Sequence, residues 1–154
     1  MTAMSALKTS LQSDLTDAMR SRDEVRLATL RMALTAISNE EVAGKVAREL
    51  SDDEVLAVLT REAKKRREAA EAYDQAGRQE LAERERAEGE VLAEYLPAQL
   101  SDEELTALVA DAIAQAGAAS PRQMGAVMKL AVPAVAGRAD GARVSAEVRR
   151  QLGQ

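Results

Sequence analysis

Residues 124–143, MGAVMKLAVPAVAGRADGAR, concentrate the side chains that could hold a phosphate. Lys129, Arg138 and Arg143 supply positive charge. Gly125, Gly137 and Gly141 leave the backbone open to close approach, because they carry no Cβ. Asp140 is placed to cap a helix, and a helix N-terminus favours anions. Together these residues could grip phosphates by geometry, without a large net charge. A plainer reading stands beside this one. Gly137 can end one short helix in a left-handed conformation, and Asp140 can cap the next. That turn does not require Arg138. Nor does it explain Gly125, which costs about 1 kcal/mol relative to Ala inside a helix.

Other chemistry is poorly supplied. The chain has no His and no Cys, so a metal site would have to use carboxylates alone. Glu62, Glu68, Glu71 and Asp74 are spaced for a solvated helix surface instead. Ser51, Ser101 and Ser120 sit where helix caps belong, and a serine nucleophile would find only Lys or a carboxylate as its base. No self-contained catalytic site, cofactor or metal is expected. Lys64-Lys65-Arg66-Arg67 is a dense basic run, yet four consecutive helical residues point in four directions. Arg61, Glu62, Glu68 and Glu71 surround the run at ion-pairing spacing, which favours a charged helix surface over a phosphate site. Tyr73 and Tyr95 fall at core-like positions and are too few to form a base-stacking platform. An RNA ligand would therefore be read through its folded shape and backbone.

Helices must position these residues. The 154-residue chain lacks Phe and Trp and is rich in Ala, Leu, Glu and Arg, a composition that favours an all-α fold. The first segment, about 2–21, carries Met4, Leu7, Leu11 and Ala18 on one stripe, with Leu15 and Met19 beside it. The second, about 23–45, has Asp23 as its cap and Gly44 near its end. Leu27, Leu30, Leu34 and Ile37 form one stripe there, and Val25, Ala28 and Met32 a second. The short Ser21-Arg22 link predicts an antiparallel pair.

Leu50-Ser51-Asp52-Asp53-Glu54-Val55 predicts a capping box with a hydrophobic staple, and Leu100-Ser101-Asp102-Glu103-Glu104-Leu105 repeats it. The third helix is expected over 52–76, with Leu56, Leu59, Ala63, Ala70 and Tyr73 on one face. Gly77 interrupts the pattern, which resumes and runs to Leu96, so the two pieces form either a bent rod or a hairpin. Pro97 ends that helix. Three shorter helices follow: 102–116 closed by Gly117, one opening at Ser120-Pro121 and stopping near Val132 ahead of Pro133, and one starting at Asp140. The third of these carries Val144, Val148 and Leu152 inward. The expected architecture is two-part. An N-terminal helical domain, 1–96, has a hairpin and long charged helices, and a small helical bundle spans 101–154.

The net charge of −5 is unevenly spread. Residues 1–96 hold 15 basic and 20 acidic side chains, while residues 120–154 hold six basic and two acidic. Such asymmetry fits a nucleic-acid-facing tail on an acidic body. The N-terminal stretch MTAMSALKTSLQSD has no apolar run after a basic start, so it does not read as a signal peptide. No run approaches the roughly 20 apolar residues of a membrane span. A soluble cytoplasmic protein is expected.

Several stretches resemble the GatB/YqeY family, in order, over nearly the whole chain. They include LRMALTAISNEE, EYLPAQLS, MGAVMK and GRADG. The resemblance implies a two-part helical protein whose C-terminal part is similar to the tail domain of the B subunit of the glutamine-dependent tRNA amidotransferase. That tail contacts the outer corner of tRNA, and catalysis resides elsewhere in the enzyme. Carried onto this chain, the tRNA-facing residues are Gly125, Lys129, Gly137, Arg138, Asp140 and Gly141, and Arg143 joins them on charge. The function expected first is that of a tRNA-binding accessory module. The alternatives are a part in glutamine-dependent amide transfer to aminoacyl-tRNA, a carbon–nitrogen ligase activity, or a helical protein–protein adaptor. The acidic N-terminal domain could hold a protein partner.

Overall fold

The computed structural model describes residues 5–153, and the regular structure among them is entirely helical. In chain order come α1 (Ala6–Ser21), α2 (Glu24–Glu41), α3 (Asp52–Gln75), α4 (Gln79–Ala93), α5 (Asp102–Ala116), α6 (Met124–Val135) and α7 (Gly141–Gln151). A 3-10 turn, Pro121–Gln123, leads into α6. The all-α expectation holds. The chain divides into two compact units between Leu96 and Pro97.

In the first unit α1 and α2 form an antiparallel pair. Ser5 caps α1 and Asp23 caps α2, and Arg22 between the helices takes the left-handed conformation at φ 59°. Lys8 of α1 meets Glu41 at the far end of α2 at 2.9 Å. Asp52, from the first turn of α3, also accepts from the Leu7 amide at 3.1 Å and from the Ser5 hydroxyl. The core gathers Leu11, Ala18, Leu30, Ile37, Leu50, Val55, Leu59 and Leu92. Leu50 and Val55 are both buried, so the staple across Ser51 is made.

Four expectations for this unit need correction. The predicted start of the first segment and Met4 lie outside the described residues. Met19 is 53% exposed rather than packed beside the stripe. Helix α2 stops at Glu41 instead of 45, and Gly44 lies in the loop that follows. Between Ile37 and Leu50 the sequence offers no apolar anchor, since Val42 and Val46 are exposed, so running the helix on to 45 would bury nothing more. Ala28 is also exposed, and of the second α2 stripe only Val25 and Met32 are half-buried. Helix α4 ends at Ala93, short of Leu96.

The choice between rod and hairpin resolves to a hairpin. Gly77 sits at φ 73°, and the Arg78 amide reaches back to the Tyr73 carbonyl at 2.8 Å, which reverses the chain. Arg66 of α3 then lies against Glu88 at 3.3 Å and Glu85 at 3.6 Å on α4, with Glu62 at 3.4 Å on its own helix. Arg86 of α4 pairs with Asp74 of α3.

The second unit is a three-helix bundle around Val109, Val127, Ala131, Val144 and Val148, with Leu100, Leu105 and Leu152 closing its ends. The Ser101–Glu104 capping box forms, at 3.1 and 3.0 Å. Gly117 ends α5 at φ 63°. Helix α6 does not open directly at Pro121. The Gln123 side chain accepts from the amides of Ala119 and Ser120, and a 3-10 turn precedes Met124. Nor does it stop at Val132, because it runs through Pro133 to Val135. The ring removes one hydrogen bond on an exposed face, while one turn more of helix seats Val135 in the core at 3% exposure. Burying that side chain returns about 1.5–3 kcal/mol, comparable to the roughly 3 kcal/mol that an interior proline costs.

Candidate nucleic-acid interface

Helix α6 has two unlike faces. Val127, Ala131 and Val135 point into the bundle, and Met124 and Met128 flank them. Gly125, Ala126, Lys129, Val132 and Pro133 are exposed on the other side. The outward side therefore pairs small residues at Gly125 and Ala126 with two exposed apolar side chains, Leu130 and Val132, and has Lys129 as its cation. Lys129 stands about 10 Å along the helix axis from the α6 end, at 1.5 Å per residue.

The α6–α7 turn is built differently from the simple glycine stop that the sequence suggests. Ala136 already takes the left-handed conformation at φ 51°, and Gly137 follows it at φ 77°. Two consecutive left-handed residues carry the chain sharply out of α6, and Gly137 is the second of them, where a Cβ would be strained. The Arg138 amide then bonds to the Val135 carbonyl at 3.0 Å, and its guanidinium Nε donates to the same oxygen at 3.2 Å. The Arg138 carbonyl accepts from the Leu100 amide at 2.8 Å. Arg138 is thus fixed at its backbone and half-buried, with its guanidinium folded over the end of α6.

That same backbone bond brings the first turn of α5 beside the turn. Arg143 reaches Asp102 at 2.8 Å. Glu104 is held below the usual carboxylate range, first by the Ser101 amide and also by the nearby positive charge of Arg138. Asp140 accepts from the Ala142 amide at 3.1 Å and so caps α7 with a carboxylate. The start of α7 is consequently not the open anion site that its position suggests.

Gly137, Arg138, Asp140, Gly141 and Arg143 are therefore gathered in one place, against Asp102 and Glu104. Gly125 and Lys129 lie on the outward face of α6 instead. Sequence reading did not find Asp102 and Glu104 as neighbours of this site. They are more than 30 residues away in sequence, and the capping motif explains them fully by itself.

The glycines divide by cause. Gly137 is required by its positive φ. Gly125 and Gly141 have no such backbone demand, and a Cβ on either would meet nothing within 4 Å. Neither conformation nor internal packing explains them.

The basic run on α3 is ion-paired as its spacing suggests, but it is only partly a solvated surface: Glu62, expected to face solvent, is buried, and Arg66 is half-buried. Lys65 pairs with Glu62 at 3.3 Å, Arg61 with Glu40 at 3.4 Å, and Arg66 turns inward to its three glutamates. Tyr95 is half-buried and donates to Asp14, and burial together with that carboxylate raises its hydroxyl pKa. Among the described residues no group of His, Cys, Asp or Glu is arranged to hold a metal, and no helix is long and apolar enough to cross a membrane.

Residues 8–152 match the family described as Yqey-like protein. An uncharacterised protein of Schizosaccharomyces pombe is 34% identical over 101 residues, covering 65% of this chain and 80% of that protein. The Altered inheritance of mitochondria protein 41, mitochondrial, of Clavispora lusitaniae is 36% identical over 106 residues, which is 67% of this chain and 60% of the relative.

Proposed function

This chain belongs to the YqeY-like family, and we propose that its C-terminal unit is a docking module for folded RNA, tRNA first among such ligands. The observation that carries this reading is the pair Gly125 and Gly141, exposed glycines that the fold itself does not need. A backbone bare of side chains lets a ribose–phosphate chain come close. Lys129 on the same helix face and Arg138 and Arg143 at the turn supply charge for its phosphates. The likeness of MGAVMK and GRADG to the amidotransferase tail supports tRNA as the class of RNA. Lacking a base-stacking platform, the module reads shape and backbone. The reading assigns the chemistry of amide transfer to other proteins and places this chain in the cytoplasm. The mitochondrial name of one relative makes cell fractionation the direct check of that placement.

The test is filter binding of deacylated tRNA to the full chain over a series of salt concentrations. Replacing both Lys129 and Arg138 with Ala should weaken binding at least about tenfold and flatten the dependence of log K on log salt by about one to two units. Binding that is unchanged in the double variant contradicts the reading.

A further inference from the structure

The C-terminal unit carries its own counter-charge. Residues 97–154 hold six basic and six acidic side chains, and the fold sets some of them face to face. The Leu100 amide to Arg138 carbonyl bond, at 2.8 Å, fixes the first turn of α5 against the α6–α7 turn. Within that acidic turn Asp102 and Glu104 have different jobs. Glu104 is committed to the capping box, where it accepts from the Ser101 amide at 3.0 Å. Asp102 takes no part in the box. It reaches across to Arg143 at 2.8 Å, with the aspartate side chain 92% exposed and the arginine side chain 33% exposed.

An ion pair this open to water is weak and exchanges readily. A phosphate approaching Arg143 meets a cation already held by a carboxylate. Phosphate and carboxylate accept from a guanidinium in the same two-pronged way, so one can displace the other.

We propose that Asp102 is a built-in stand-in for phosphate: it occupies Arg143 in the free protein and is displaced when a phosphate of the bound RNA backbone takes its place, thereby setting the affinity of the site. The inference rests on the RNA-docking reading for its ligand, and on the Asp102–Arg143 contact alone for its mechanism. The exchange discriminates. A single small anion gains little by displacing a tethered carboxylate, whereas an RNA backbone held at Lys129 and Arg138 presents its phosphate at high local concentration.

The experiment compares the wild-type chain with D102N, R143A and the double variant D102N/R143A. D102N keeps the side-chain shape and leaves the Ser101–Glu104 box intact, so the bundle should fold. With deacylated tRNA at fixed salt, D102N should bind about two- to fivefold tighter than wild type, the range expected for releasing one exposed ion pair. In the R143A background the same substitution should have no effect, because the contact it releases is gone. Tightening of equal size in both backgrounds would overturn the proposal, since that is simple removal of a negative charge. Weaker binding by D102N would also overturn it, by making Asp102 a support for Arg143.

A second readout needs no RNA. Inorganic tripolyphosphate is titrated while the Arg143 Nε–H resonance is followed by NMR. D102N should respond at a concentration about two- to fivefold lower than wild type. Equal response in the two chains overturns the exchange, whatever tRNA does. A shifted response with no tRNA binding in either chain upholds the exchange and removes the RNA-docking reading.

Discussion

A Cβ placed on Gly125 would enter open space, and that sets up two opposite consequences of substitution at one position. For the fold, Gly125→Ala is an improvement. Alanine restricts the unfolded chain and favours the helix, so the unfolding free energy measured in urea should rise by up to about 1 kcal/mol. For docking, bulk matters. Gly125→Leu places a branched side chain on the outward face of α6, and tRNA affinity should fall about tenfold or more while the protein stays folded. An unchanged affinity for the Leu variant would mean that nothing approaches α6 closely there. Gly137 gives a contrast. Its φ of 77° lies where a side chain is strained, so Gly137→Ala should destabilise the bundle by about 1 kcal/mol.

The bundle's elements are also held by charge, and this makes the C-terminal unit sensitive to acid. Glu147 of α7 pairs with Arg150 and accepts from the Thr106 hydroxyl of α5 at 3.0 Å and from the Gln151 side-chain Nε2 at 3.0 Å. Gln151 in turn donates to the Thr106 carbonyl at 2.9 Å. Arg150 first, and then these donors, lower the Glu147 carboxyl from 4.5 to about 2. A carboxylate whose pKa is depressed by folding stabilises the folded state fully above its ordinary value, and that contribution is lost as pH falls toward the folded value. The stability supplied by the α5–α7 clamp should therefore be intact at pH 6 and decline between about pH 4.5 and 2. Thermal melts of wild type and E147Q across that window check it. E147Q should be less stable at pH 6, and the gap should close by pH 2.

Much of this scale was legible beforehand, and the reasons are local. Ser51 and Ser101 announce their helices because a capping box involves only four consecutive residues. Gly117 ends α5, and Val144, Val148 and Leu152 face inward, because a helical stripe is set by spacing alone. What escaped depended on distant partners. Pro133 stays inside α6 because Val135 has a core to enter, which no local rule contains. The hairpin of α3 and α4 depends on Gly77, but Arg66 and Glu88 show the pairing only once the helices are side by side. The glycines, Lys129 and the arginines of the candidate site were visible as types. That Asp102 would stand against Arg143 was not, since only the folded α5 brings it there.

Taken whole, the molecule has an acidic helical unit and an electrically neutral one, and the proposed function belongs to the neutral one. That distribution is useful for selectivity. A strongly basic unit would bind any polyanion, whereas this one offers a few cations, two exposed glycines and a carboxylate that must be displaced. Docking should therefore depend on RNA shape as well as charge. The most direct measurement is amide hydrogen exchange of the full chain with and without deacylated tRNA. Slowed exchange should concentrate in residues 124–143, on α6, its turn and the start of α7. Protection confined to residues 5–96, or none anywhere at tRNA concentrations that saturate binding, would contradict it.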